Sequence, residues 1–201
     1  MASQPAFRRE DPDARRASLI AACARVLARE GAAGASVRAI AAEAGVSPGL
    51  IGHYFGGVDA LVAASYAAAD ARVTAALDAA VAAAGPEPRA RLDAYVSASL
   101  LPPIADSELL STWIAFWSLV RARPDIAAQH DEQYGRFRQR LEALLSDNGV
   151  PPAVLRSTAI AVTALVDGLW LELCLSPETF EAGEAAAIAR DGLDALISTG
   201  R

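Results

Sequence analysis

Apolar residues recur at three- and four-residue spacing along almost the whole of this 201-residue chain, and no stretch alternates apolar with polar residues. That periodicity builds helices and leaves nothing from which to build a sheet, so the expected fold is all-α. Composition agrees. Hydrophobic residues make up 53% of the chain but Phe, Trp and Tyr only 6%, so the apolar content is mostly Ala and Leu, the strongest helix formers. Capping residues, prolines and glycines then divide the chain into about nine helices. These begin at Asp11-Pro12, Ser36 and Ser47-Pro48 and continue at about 59–84, 88–100, 107–122, 125–147, 152–175 and 182–198. The breaks between the later ones are Gly85-Pro86-Glu87-Pro88, Pro102-Pro103, Pro124, Asn148-Gly149 and Ser176-Pro177.

Charge is distributed unevenly along this pattern. Residues 1–57 hold seven arginines against five acids, a net of +2, while 58–201 hold eleven against nineteen, a net of −8. A mildly cationic head on an anionic body suits a nucleic-acid-binding module joined to a regulatory one, and gives the expected division at 57/58. Cys23 and Cys174 lie in apolar helical patterns without metal-ligand spacing and are expected to be reduced and buried. The N-terminal MASQPAFRREDPDARR lacks the apolar core of a signal peptide. The run Ala159 to Leu175 contains Asp167 and Glu172 and reads as too short and polar for a membrane span, so the expected location is cytoplasmic, with no membrane partner. Neither a nucleophile-base pair nor a metal cluster nor a phosphate loop stands out, and two histidines leave few general bases. An enzyme is not expected, and no cofactor.

Residues 36–55, SVRAIAAEAGVSPGLIGHYF, carry the strongest signal. Two short helices meet at Gly45, where positive φ lets the second cross the first, with Ala41, Val46 and Ile51 spaced to pack inside the angle. In a helix-turn-helix the second of these helices enters the major groove. Ser36 and Arg38 open the first of the two. Ser47, Pro48 and Gly49 open the second, where free backbone N–H groups suit a phosphate, and His53 and Tyr54 near its end can donate to phosphates. A helical hairpin packed purely as core reads the same residues without DNA.

The run Ile40-Ala41-Ala42-Glu43-Ala44-Gly45-Val46-Ser47 followed by His53-Tyr54-Phe55 resembles the TetR repressor family. Gly52 stands where that family often has Tyr, and Val58 where it commonly has a phosphate-reaching Lys, a loss of about one phosphate contact per subunit. Further on, Trp113-Ile114-Ala115-Phe116-Trp117, Leu165-Val166-Asp167-Gly168-Leu169-Trp170-Leu171 and Leu175-Ser176-Pro177-Glu178 look like the BetI-like subgroup, named for a choline-responsive repressor. The resemblance implies a three-helix DNA-binding head, a helical body that dimerises and binds a small-molecule effector, and a homodimer on a palindromic double-stranded operator.

Spacing supplies an argument of its own for the effector. Trp113, Phe116 and Trp117 share one helix face; Asp167, Trp170 and Cys174 share another. A carboxylate among aromatic rings suits a cation, such as choline or another cationic amine, and Tyr95, His130, Tyr134 and Phe137 are placed to complete the enclosure. The same stripes also suit a core, and Asp167 a structural hydrogen bond or a subunit contact. Val162, Val166, Leu169 and Leu173 on the eighth helix, with Ile188, Leu193, Leu196 and Ile197 on the ninth, are the expected dimer seam, as the resemblance implies. The competing functions are a repressor of efflux or catabolic genes that senses an unrelated hydrophobic ligand, and a helical binding module without DNA.

Overall fold

The computed structural model describes residues 11–199. Arg8 and Arg9, counted into the cationic head, lie outside the described residues. Within them the chain forms nine helices and no strand: α1 Pro12–Gly34, α2 Val37–Glu43, α3 Gly49–Phe55, α4 Val58–Ala83, α5 Pro88–Ala98, α6 Ser107–Val120, α7 Pro124–Asp147, α8 Pro152–Leu175 and α9 Ala182–Thr199.

Local chemistry fixes most of these starts. Asp11, Ser36, Glu87 and Asp106 each accept a backbone N–H from the first turn of the helix that follows, satisfying a donor that the helix itself leaves unpaired. Proline stands in the first turn of α1, α5, α7 and α8, where its missing N–H costs nothing. The expected cap at Ser47 is not made. α3 begins after Pro48 without a side-chain cap, and only the Ser47 carbonyl is engaged, by Leu50 N–H at 3.1 Å.

α1 is the link between the two ends of the molecule. Its buried stripe, Leu19, Ala22, Cys23, Val26 and Leu27, packs on α2, on α4 and most extensively on α6. Burial pushes the Cys23 thiol up to about 11, the Ser65 hydrogen bond opposing, so this cysteine is inert core, as expected. Cys174 is only half-buried, its Sγ 3.7 Å from Ser111 Oγ. The body consists of α4–α9, with α8 packed on α9, α7 and α6.

Two readings of α8 need correction. By length and a mean hydropathy of 1.7 this helix is apolar enough to cross a membrane, whereas its two acids had argued otherwise; here its inner face is bundle core. That core also absorbs the expected dimer seam. Val162 and Leu193 are fully buried and Val166, Leu169 and Leu173 are at most 9% exposed within the single subunit, and Leu196 is half-buried. The outward stripe of α8 is Ile160, Ala164, Gly168, Leu171 and Leu175; on α9, Ile188 of the expected seam is exposed, as is Ala195. α9 approaches α8 at Gly192, where a Cβ would lie 2.5 Å from Leu165 Cδ2.

Candidate functional site

In the head, Gly45 takes φ +66° and hands the chain from α2 to α3, while Val46 N–H returns to Ala41 carbonyl at 2.9 Å. Ile40, Ala41 and Ile51 close the angle as buried core. The residues picked out from the sequence then fall on the outside together: Ser36, Arg38, Ser47, Pro48, Gly49 and His53 are exposed and Tyr54 is half-buried. Tyr54 is held edge-on to His53 at 5.0 Å, and the Arg16 guanidinium of α1 lies 5.7 Å from its ring centre and 5.5 Å from that of Phe55. Sequence reasoning missed Arg16, because the contact joins helices 38 residues apart in the chain.

The head's positive charge is partly spent inside it. Glu43 of α2 accepts Arg25 Nε at 2.6 Å and Arg29 Nη1 at 3.0 Å from α1, and both arginines hold its carboxyl below the usual range. Arg38 makes no ion pair among the described residues and faces solvent, which leaves its guanidinium for an outside anion.

In the body, α4, α6, α7 and α8 enclose a small cavity of about 60 Å³ lined by Trp113, Trp117, Trp170, Tyr134 and Asp167, with Phe137, Gln133, Ser99, Thr163 and apolar Val73, Ile104 and Val166. At ~10–15 Å³ per water this holds a group the size of a few waters. Trp170 Nε1–H donates to the Ser99 carbonyl, which fixes its ring. The rings of Trp113 and Trp170 lie 6.3 Å apart. Trp113 Nε1 is buried and has no hydrogen-bond partner among the described residues.

Asp167 is the carboxylate of this cavity. It accepts the Tyr134 hydroxyl at 3.2 Å. Burial pushes its carboxyl up to about 6, with the Tyr134 hydrogen bond and the more distant Arg138 charge opposing the rise. Around it, Tyr134 is pushed upward by burial and by Asp167 itself, and His130, stacked on Tyr134 at 4.3 Å, is pushed down by burial. The Arg138 guanidinium lies over the Tyr134 ring, 6.0 Å from its centre.

Of the eight expected effector residues, the structure therefore gathers Trp113, Trp117, Tyr134, Asp167 and Trp170 around one cavity. Three fall elsewhere. Phe116 is fully buried between Tyr66 and Trp113 and does not line this cavity. Cys174 is turned toward Ser111. Tyr95 donates to the Phe137 carbonyl at 3.2 Å and lines a neighbouring, larger cavity. Cys174 stands one turn beyond Trp170 on α8, and Phe116, the residue before Trp117 on α6, packs against Tyr66. Gln133 was missed although the spacing of His130, Tyr134 and Phe137 already marks its face.

The N-terminal part, residues 19–65, matches the tetR family of bacterial regulatory proteins, and residues 88–198 match the C-terminal region of BetI-type transcriptional repressors. The chain belongs to the TetR family, in its BetI-type branch. Among similar proteins, the HTH-type transcriptional regulator BetI of Burkholderia thailandensis is 34% identical, with 92% of this chain and 94% of that one covered. BetI of Paraburkholderia phytofirmans is 33% identical over the same shares. A crystal structure from Pseudomonas aeruginosa PAO1 is 40% identical and superposes with a TM-score of 0.86 over 98% of this chain and 99% of that one. A regulator from Saccharomonospora viridis, solved in complex with choline, shares the fold at 22% identity and a TM-score of 0.77, covering 92% and 97%. This BetI-type chain is accordingly a transcriptional repressor with a helix-turn-helix head. TetR-family regulators bind DNA and small-molecule effectors, typically as dimers.

Proposed function

We propose that this repressor is released from its operator by a cationic amine, of which choline is the foremost candidate, bound between Asp167 and the indoles of Trp113, Trp117 and Trp170. The observation that carries this is the partly desolvated carboxylate of Asp167 set in an aromatic cavity. Burial there costs the ionised form free energy, and an ammonium group restores it while its methyl or methylene surface meets ring faces that attract cations. The head, residues 1–57, holds DNA through Ser36, Arg38, Ser47, Pro48, Gly49, His53 and Tyr54, and the body, 58–201, binds effector and partner. Two copies pair through the outward stripes of α8 and α9 and read a palindrome in the cytoplasm.

The route between the sites runs through α6. It carries Trp113 and Trp117, and the intervening face packs on α1, where Thr112 Oγ1 donates to the Ala24 carbonyl at 3.3 Å as well as to Glu108 at 2.7 Å. A shift of α6 on binding cation is therefore passed to α1 and, through Glu43, to α2. Calorimetric titration with choline and with its neutral carbon isostere tests the proposal. Choline is expected to bind and the isostere to bind at least about tenfold less well, since only the cation gains the ring and carboxylate attractions. Equal binding by the two, or by neither, would remove the role given to Asp167.

A further inference from the structure

The cavity beside Asp167 has a neighbour that the proposed cation does not use. Val73 of α4 and Gln133 and Phe137 of α7 line both it and a cavity of about 710 Å³ that opens between α4, α5 and α7. The two volumes share this one partition but differ in charge. The inner one bears a carboxylate and no basic group; the outer one carries Arg91, Arg136 and Arg140 with Asp70 and Asp78 over an apolar floor that includes Leu77 and Val81.

The three arginines are not equally engaged. Arg136 is hydrogen-bonded to Asp70 at 2.5 Å and Glu132 at 2.6 Å. Arg140 comes only to 3.7 Å from Asp78 and Arg91 only to 4.0 Å from Asp147, beyond hydrogen-bond distance. Two guanidinium forks lining this cavity, one from α5 and one from α7, thus keep only long ion-pair contacts and no hydrogen bonds among the described residues, and that planar fork matches a carboxylate or phosphate. At the partition, Gln133 takes the Tyr66 hydroxyl on Oε1 at 2.5 Å, which fixes that side chain and leaves its amide N–H groups for a ligand passing between the chambers.

We infer that the two cavities form one elongated effector site, and that the effector is a zwitterion: an ammonium group in the inner chamber and, on the same molecule, a phosphate or carboxylate reaching Arg91 and Arg140. The inference rests on the reading of the Asp167 cavity as a cation site and adds the second half of the ligand. Joining the two groups in one molecule makes the second contact intramolecular, so the gain shows as affinity over the ammonium alone.

Calorimetry on the full chain with choline and with phosphocholine reads it. Phosphocholine is expected to bind about tenfold or more tightly than choline, and the ratio of their Kd values to fall to about one in the double variant Arg91→Gln, Arg140→Gln, whose thermal midpoint checks that it is folded. Phosphatidylcholine vesicles, which present the same zwitterion at a surface, are expected not to bind, because the site lies between helices of the subunit. Binding of choline without any gain from the phosphate overturns this inference alone, as does a gain that survives in the double variant or a protein captured by the vesicles. Failure of both choline and phosphocholine to bind overturns the cation site and this inference with it.

Discussion

At the residue scale the decisive group is Asp167, because its two proposed properties respond to pH in opposite directions. Its carboxyl is pushed up to about 6 from 3.8, so folding disfavours its charge. The associated stability is fully present below the unfolded value and lost as pH rises through about 6. Asp167→Asn keeps the shape and a hydrogen-bonding partner for Tyr134 without the buried charge, and is expected to stabilise the protein at pH 7 by up to about 3 kcal/mol, read as a higher unfolding midpoint. Cation binding has the reverse dependence. It should weaken about tenfold in the wild type between pH 7 and pH 5 as the carboxylate protonates, and be weak and flat in Asp167→Asn. A variant that is destabilised yet still responds to choline contradicts both halves. Tyr54→Ala and Arg38→Glu form the matching pair on the head. Tyr54 is half-buried against Arg16 and His53, while Arg38 is exposed and makes no ion pair among the described residues. Both changes should reduce operator affinity in footprinting while leaving the dimer intact. At this scale the sequence revealed residue chemistry better than residue depth. Trp113, Trp117, Tyr134, Asp167 and Trp170 were legible as aromatic or acidic positions on common faces. Phe116 and Cys174 shared those faces and were drawn in wrongly, since spacing gives the side of a helix and not what stands opposite it.

Among the elements, boundaries were the most legible part, because capping side chains and prolines act locally: Asp11 and Ser36 cap in the structure as their positions in the sequence suggest, although Ser47 does not. α8 was the least legible. It is apolar on nearly every side, so periodicity could not tell the face that fills the subunit's own core from the face left outside. Val162 and Val166 turned out to be core, and the small exposed Ala164 and Gly168 drew no attention. The corrected stripe makes a distinct prediction. Leu171→Glu with Ile188→Glu places charge on side chains 39% and 42% exposed in the subunit, and should yield folded monomers in analytical ultracentrifugation. Val162→Glu buries an unpaired carboxylate at a fully buried position and should prevent folding altogether. A dimer unaffected by the double change would place the partner on another face. Where α9 meets α8, Gly192→Val is expected to cost about 1–3 kcal/mol, because its branches have to displace Leu165. Gly192→Ala, which meets only the flexible end of that leucine, should cost less; thermal unfolding of the two variants compares them.

For the whole molecule, the helix-turn-helix head and the cavity proposed to bind a cation are joined by one continuous set of contacts, from the cavity to α6, from α6 to α1, and from α1 to α2. The overall charge of −6 opposes unspecific attachment to nucleic acid, so binding has to come from a few phosphate contacts of the head and should fall steeply with added salt. If cation binding favours the arrangement in which the two heads no longer fit half-sites about one helical turn apart, thermodynamic linkage requires that DNA weaken cation binding by the same factor that cation weakens DNA binding. The central claim is tested most directly by titrating the promoter fragment this repressor protects, by fluorescence anisotropy, in the presence and absence of saturating choline, and choline by calorimetry with and without that fragment. The account predicts a loss of DNA affinity with choline and an equal loss of choline affinity with DNA. Choline that binds with the same affinity whether or not operator is present would contradict it.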